Sequence, residues 1–180
     1  MDYIIPVNIG HGVVNVGDLP IPFDIVLNAS ALVVLITIFL DQLTKWWVVN
    51  LMMTPPKIIQ VTNFFDLVLV YNRGVSFGIF NNSPDWVGVV LILFAFLISI
   101  GLAFWIWHAD GKLLSCALAL VVGGAVGNVL DRIQFGAVVD FLDFHVWGWH
   151  WPAFNVADAA ITIGVVMLIL DSFRPKSKTL

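Results

Sequence analysis

Charge is what this chain has least of. Only 11% of its 180 residues are charged, where a soluble domain carries about 25%. Glutamate is missing altogether, so all twelve acids are aspartates. With 60% hydrophobic residues and a mean hydropathy of +0.97, this scarcity excludes an ordinary soluble domain. It reads as a membrane protein built on a single domain. Eight scattered Lys and Arg and a net charge of −4 leave no basic patch, which excludes nucleic acid as a partner. The single cysteine, Cys116, lies in an apolar run, so neither a disulfide nor a cysteine metal site can form within the chain. The histidines (His11, His108, His145 and His150) lack zinc-ligand spacing. No metal and no cofactor is expected.

What is present is long apolar runs with polar punctuation. Residues 1–24 hold Asp2, Asp18 and Asp24, no Lys or Arg, and interrupting Gly and Pro. They lack the basic start and apolar core of a secretory signal and are expected to form a flexible or interface-lying tail. A first span starts near Phe23. Only sixteen residues separate Asp24 from Asp41, and a crossing takes about 20. The helix is therefore expected to run to about Val49, with Asp41 in its last turns and Lys45 at the favourable i+4 position. Met53-Thr54-Pro55-Pro56 then breaks the helix. Residues 57–62 and 66–71 have strand character, Asn72-Arg73-Gly74 signals a turn, and 75–80 follow as a further run. Together, residues 51–85 predict a small sheet on the membrane face.

Trp86–Trp107 is a second span without a single charge, Leu113–Leu130 a third, and Val156–Phe173 a fourth. The third carries a small-residue face that includes Gly123 and Gly127, the kind that lets helix backbones approach closely in lipid. All eight tryptophans fall at span ends or between the last two spans, as in an aromatic belt. The fold expected is an α-helical membrane protein with four transmembrane helices and a small outer-face β-sheet between helices 1 and 2. It divides into a tail (1–24), a four-helix domain (25–173) and a basic tail (174–180). An even count puts both termini on one side, and Arg174, Lys176 and Lys178 make that side cytoplasmic. Asp41, residues 51–85 and the segment 128–158 then gather at the outer face.

That last segment is the polar centre of the chain. Asp131, Asp140, Asp143 and Asp158 fall there with Arg132, Asn128 and Asn155. Ionisable groups bordering apolar spans are expensive and mark functional sites. Asn128, Asp131 and Arg132 share one helix face by their i, i+3, i+4 spacing, and Asn155 and Asp158 are an i, i+3 pair. Asp140, on the connection returning from the third helix, can reach Asp158. Two carboxylates close together in a poorly hydrated site cannot both ionise readily, so the pair can serve as base and acid on an attacking water. Ser76 and Cys116 lack a partner base, which disfavours nucleophilic catalysis. Asp131–Arg132 reads equally well as a buried structural pair, Asp143 as a solvated loop carboxylate, and His145 and His150 as interface anchors. A small ion or proton transporter would also use intramembrane Asp, but it predicts acids near the midplane and internal repeats, neither of which is visible. A non-catalytic scaffold leaves the cluster unexplained.

Four blocks resemble those of bacterial lipoprotein signal peptidase, the signal peptidase II family. They are Asp41-Gln-Leu-Thr-Lys45, Tyr71-Asn72-Arg-Gly74-Val-Ser76-Phe77-Gly78, Gly127-Asn128-Val-Leu-Asp131-Arg132 through Val139-Asp140-Phe141, and Phe154-Asn155-Val-Ala157-Asp158. They stand in the family's order over roughly residues 25–173. The resemblance implies an intramembrane aspartyl endopeptidase of the bacterial inner membrane, acting near its outer face. Its substrate would be a diacylglyceryl-modified prolipoprotein, cut before the lipid-modified cysteine among membrane lipids, and globomycin-type cyclic peptides would bind the same cleft. Asp140 and Asp158 would then be the catalytic pair. Asn72, Asn128, Arg132 and Asn155 would position the substrate backbone or the dyad, while Asp41, Lys45, Gly74 and Asp131 would shape the site. Residues 1–24 depart from the family's short, often basic start.

Overall fold

The computed structural model describes residues 6–8, 13–15, 23–74, 85–109 and 111–173. The run 75–80, Asp110 and the tail 174–180 lie outside the described residues. Within the N-terminal segment, β1 (Pro6–Asn8) pairs antiparallel with β2 (Val13–Asn15). Helix α1 (Phe23–Trp47) follows and runs on into one π-helical turn, Val48–Met52. The chain then forms β3 (Ile59–Thr62), β4 (Phe65–Asn72), α2 (Asp85–Trp107) and α3 (Lys112–Phe135). It closes with β5 (Val138–Val146), β6 (Trp149–His150) and α4 (Val156–Ser172).

Among the described residues, three segments are long and apolar enough to cross a membrane: Leu27–Met52, Trp86–Trp107 and Lys112–Phe135. Their exposed large side chains, such as Leu35, Phe94 and Phe104, form the broad apolar surface that lipid covers. More than half of the α3 span is buried, against 6% of α2's, so α3 is the central helix. It packs against α1, α2 and α4. Glycine makes the closest of these approaches possible. A Cβ on Gly127 would lie 2.6 Å from Asp41 Oδ2, and one on Gly124 would collide with the backbone carbonyl of Ala157. Helix α4 has 17 residues, or about 26 Å at 1.5 Å each, the short end of the spanning range.

The sheet differs from the sequence expectation. It is not confined to the connection between helices 1 and 2: its order is β3-β4-β5-β6, and half of its strands come from the α3–α4 connection. Residues 138–146 alternate less cleanly than a one-sided strand because β5 is buried along much of its length, and the adjacent tryptophans disguise it as a loop. Asp140 therefore stands on a strand. Helix α3 is also longer than expected. It continues past Leu130 to Phe135 and ends at Gly136, whose left-handed φ of 67° lets its N–H bond the carbonyl of Arg132 at 3.0 Å.

Register matters at β4. Leu67 pairs with Leu142, yet Val70 pairs with Asp140, so one extra residue bulges from β4 between them. A one-residue shift exchanges the two faces of a strand. The bulge thereby turns Asn72, opposite Val138, onto the face that carries Asp140.

Candidate active site

The α4 N-terminus is built by a reciprocal capping box. Asn155 Oδ1 accepts the Asp158 backbone N–H at 2.9 Å, and Asp158 Oδ2 accepts the Asn155 backbone N–H at 3.3 Å. This fixes Asp158 on the first turn. The amide of Asn155 then reaches across to β5, where its Nδ2 donates to Asp140 Oδ1 at 2.8 Å. One fully buried asparagine thus joins both carboxylates. Asn72 Nδ2 donates to the other oxygen of Asp140 at 3.0 Å, and Asn128 Nδ2 donates to Asp158 Oδ1 at 2.8 Å.

Asp140 is only 2% exposed. Burial pushes its carboxyl up from the usual carboxylate range to about 7, and the charge of neighbouring Asp158 adds to the push. The amides of Asn72 and Asn155, which favour the ionised form, pull the other way. Near neutral pH the pair therefore holds one proton readily and a second charge only at a cost. An apolar groove lined by Trp151, Pro152, Phe154, Ile161 and Ile163 opens beside Asp158.

Behind the carboxylates lies a second, fully buried network. Lys45 Nζ contacts Asp41 Oδ2 at 2.8 Å, Asp131 Oδ2 at 2.7 Å and Asn128 Oδ1 at 3.2 Å, which occupies its three donors. Asp41 Oδ1 accepts the backbone N–H of Ala157 at 2.8 Å, and Asp131 Oδ2 accepts that of Val139 at 3.0 Å. These two amides immediately precede Asp158 and Asp140. Sequence reasoning missed Gln42, whose Nε2 donates to Asp131 Oδ1 at 2.9 Å and also meets Asp41 and Gly127. Its signal was a neutral polar residue inside an apolar span.

The structure gathers Asp41, Lys45, Asn72, Asn128, Asp131, Asp140, Asn155 and Asp158 into this one region. Asp131 and Arg132 are not a pair. Asp131 is taken by Lys45, and Arg132 Nη1 and Nη2 donate to the carbonyls of Asn128 and Gly74, each at 3.3 Å. Successive helical residues point some 100° apart, which separates them. Arg132 Nε is buried without a partner among the described residues, and its charge is felt by Asp158 and Asp140. Gly74 is anchored in turn by its N–H to Asn72 Oδ1 at 3.1 Å. Asp143 is not a solvated loop group either: it is buried on β5 and bonds His150 Nδ1 at 2.8 Å. His145 stacks on His150 with Nε2 3.3 Å from Asp66 Oδ2, a close approach and not an aligned hydrogen bond.

The profile of the family described as Signal peptidase (SPase) II matches residues 33–174. This chain belongs to the signal peptidase II family. It is 43% identical over 154 residues to the lipoprotein signal peptidase of Methylobacterium radiotolerans, covering 84% of this chain and 89% of that one. It is 46% identical over 151 residues to that of Methylorubrum extorquens, covering 82% and 87%. Among solved structures it is similar to a bacterial membrane enzyme determined by the in meso method at 2.3 Å. There the TM-score is 0.71 and the identity 28%, over 85% of this chain and 94% of that one. Membership of the signal peptidase II family makes the chain a multi-pass membrane protease and sets aside the transporter and scaffold readings.

Proposed function

We propose that the chain removes signal peptides from diacylglyceryl-modified prolipoproteins by aspartyl chemistry at Asp140 and Asp158. The observation that carries this reading is the pair itself: two carboxylates joined through Asn155, one of them buried and shifted to about 7. The ionised member takes a proton from water as the water oxygen bonds to the scissile carbonyl carbon. The protonated member hydrogen-bonds the carbonyl oxygen and supplies the proton that the leaving nitrogen needs when the C–N bond breaks. Asn72, Asn128 and Asn155 hold the carboxylates, and Arg132, half-buried with donors to spare, positions substrate backbone. Asp41, Lys45, Gly74 and Asp131 shape the site from behind.

In this reading α4 is the fourth span, the enzyme sits in the bacterial inner membrane, and the site opens near the outer face. Cleavage falls before the lipid-modified cysteine, and globomycin-type cyclic peptides occupy the same cleft. The test is incubation of purified enzyme in detergent with a lipidated prolipoprotein, followed by mass spectrometry of the products. Asp140→Asn and Asp158→Asn are each expected to remove nearly all turnover while the protein stays folded and binds substrate. The double variant is expected to be hardly worse than either single, because groups acting as a unit are strongly non-additive. Near-normal cleavage by either single variant would overturn the mechanism.

A further inference from the structure

The connection between β5 and β6 carries a feature that neither the carboxylate pair nor the network behind it uses. Val146 pairs with Trp149, so the hairpin turns on two residues, Trp147 and Gly148. Both have positive φ, 50° and 80°, as a type I′ turn requires. Gly148 suits that geometry. Trp147 does not, because the first position of such a turn favours asparagine, aspartate or glycine, and a bulky side chain there is a genuine outlier. Among the described residues it is the only non-glycine with positive φ. Backbone strain of this kind persists where function requires it, and here it holds an indole at the hairpin tip with 97% of its surface exposed. Trp149 beside it is 85% exposed. Folding alone gives no reason to keep two bare indoles on a strained turn.

We propose that the β5–β6 tip is a contact for a lipid surface, the interfacial zone of the bilayer that the spans cross. Indole rings combine a large apolar body with one N–H donor and concentrate at that zone. No Asp, Lys or Arg occurs between Asp143 and Asp158, so the tip suits a zwitterionic headgroup layer and offers nothing to draw anionic lipid. The patch also continues a lipid-facing surface. Helix α3 exposes Ile133 and Phe135 in its last turn, and β5 starts three residues beyond it. Seated in this way, the tip fixes the level of β5, and with it Asp140, relative to the membrane. Its place at the outer leaflet rests on the topology proposed above; contact with lipid does not.

The test compares the wild type with a Trp147→Phe/Trp149→Phe variant, both in nanodiscs of phosphatidylcholine with brominated acyl chains. The emission lost in the variant is expected to be blue-shifted, quenched by brominated lipid and spared by aqueous iodide. A red-shifted component quenched by iodide would place the tip in water and overturn the proposal. A component insensitive to both quenchers, but altered by a lipid-modified substrate peptide, would make the tip a substrate contact and overturn it too. Should the variant lose its Tm, a spin label on Trp147→Cys in a Cys116→Ala background reads the same surface. Preferential collision with oxygen over an aqueous nickel chelate supports the proposal, and the reverse overturns it. Quenching needs no catalysis, so it separates failure of this inference from failure of the proposed activity.

Discussion

At the scale of single residues, Lys45 does the most with the least. Its ammonium joins two buried carboxylates, and each of those holds the amide just ahead of a candidate catalytic aspartate. The spacing of the pair therefore depends on a cation that need touch no substrate. Removing one partner of a buried ion pair commonly costs about 3–5 kcal/mol, because the remaining charge is left uncompensated. Lys45→Met is expected to lower Tm sharply in detergent and to abolish cleavage. Lys45→Met combined with Asp131→Asn should recover Tm in part by removing one of the stranded charges. Asp140 gives a second prediction, in pH. Its folded carboxyl keeps a proton up to about 7, while an unfolded one releases it near pH 4, at about the model-peptide value. Between those values the folded state binds more protons, so this group's contribution to stability is present at low pH and lost as pH rises through about 7. Measured by Tm at pH 5 and pH 8, the drop is expected to shrink in Asp140→Asn.

At the scale of elements, the β4 bulge decides which face Asn72 joins. Deleting Tyr71, between the bulge and Asn72, should place Asn72 opposite Val139 and turn it away from Asp140. Turnover is expected to fall by at least as much as in Asn72→Ala, with the sheet still formed by hydrogen exchange. Gly127→Ala tests the α1–α3 approach, since the new methyl must displace Asp41 Oδ2. Overpacking of this kind typically costs about 1–3 kcal/mol and should depress Tm and activity together. The helices were legible in the sequence because long apolar runs with tryptophan at their ends specify length and position almost unaided. Asp140 and Asp158 were legible as two carboxylates within reach of each other beside apolar spans. What the sequence hid was pairing across distance. That residues 65–72 lie against 138–146, that a bulge resets their register, and that Lys45 chooses Asp131 over leaving it to Arg132 are all facts of packing between segments some 70–90 positions apart. No local pattern encodes them. Asp143 shows the same limit: its partner His150 lies on β6, a strand the tryptophans concealed.

At the scale of the whole molecule, the number of crossings decides on which sides the two termini lie. Among the described residues three helices qualify by length and composition, and α4 falls just short of a comfortable span. Its packing bears on the answer. Helix α4 lies along α3, and a Cβ on its Gly164 would come within 2.7 Å of the Ala117 carbonyl near the opposite end of α3 from Asp131. Contacts at Gly124 near one end of α4 and at Gly164 two turns on require the two helices to run side by side through the same layer. A helix in that position, with exposed Ile163, Val166, Ile169 and Leu170, would leave apolar surface in water unless it crossed with its partner. In the proposed topology four crossings return the C-terminus to the side where the N-terminus began, and the positive-inside rule applied to the basic residues of 174–178 predicts that this side is cytoplasmic. Single-cysteine labelling in a Cys116→Ala background tests this directly. A cysteine at position 176 should resist a membrane-impermeant maleimide applied to intact cells with a permeabilised outer membrane. One at Asn63, in the β3–β4 turn, should react. Labelling of position 176 from outside would leave α4 as a helix that does not cross and would reverse the side on which Arg174 lies. Protection of Asn63 alone would instead move the sheet, and Asp140 with it, to the cytoplasmic face.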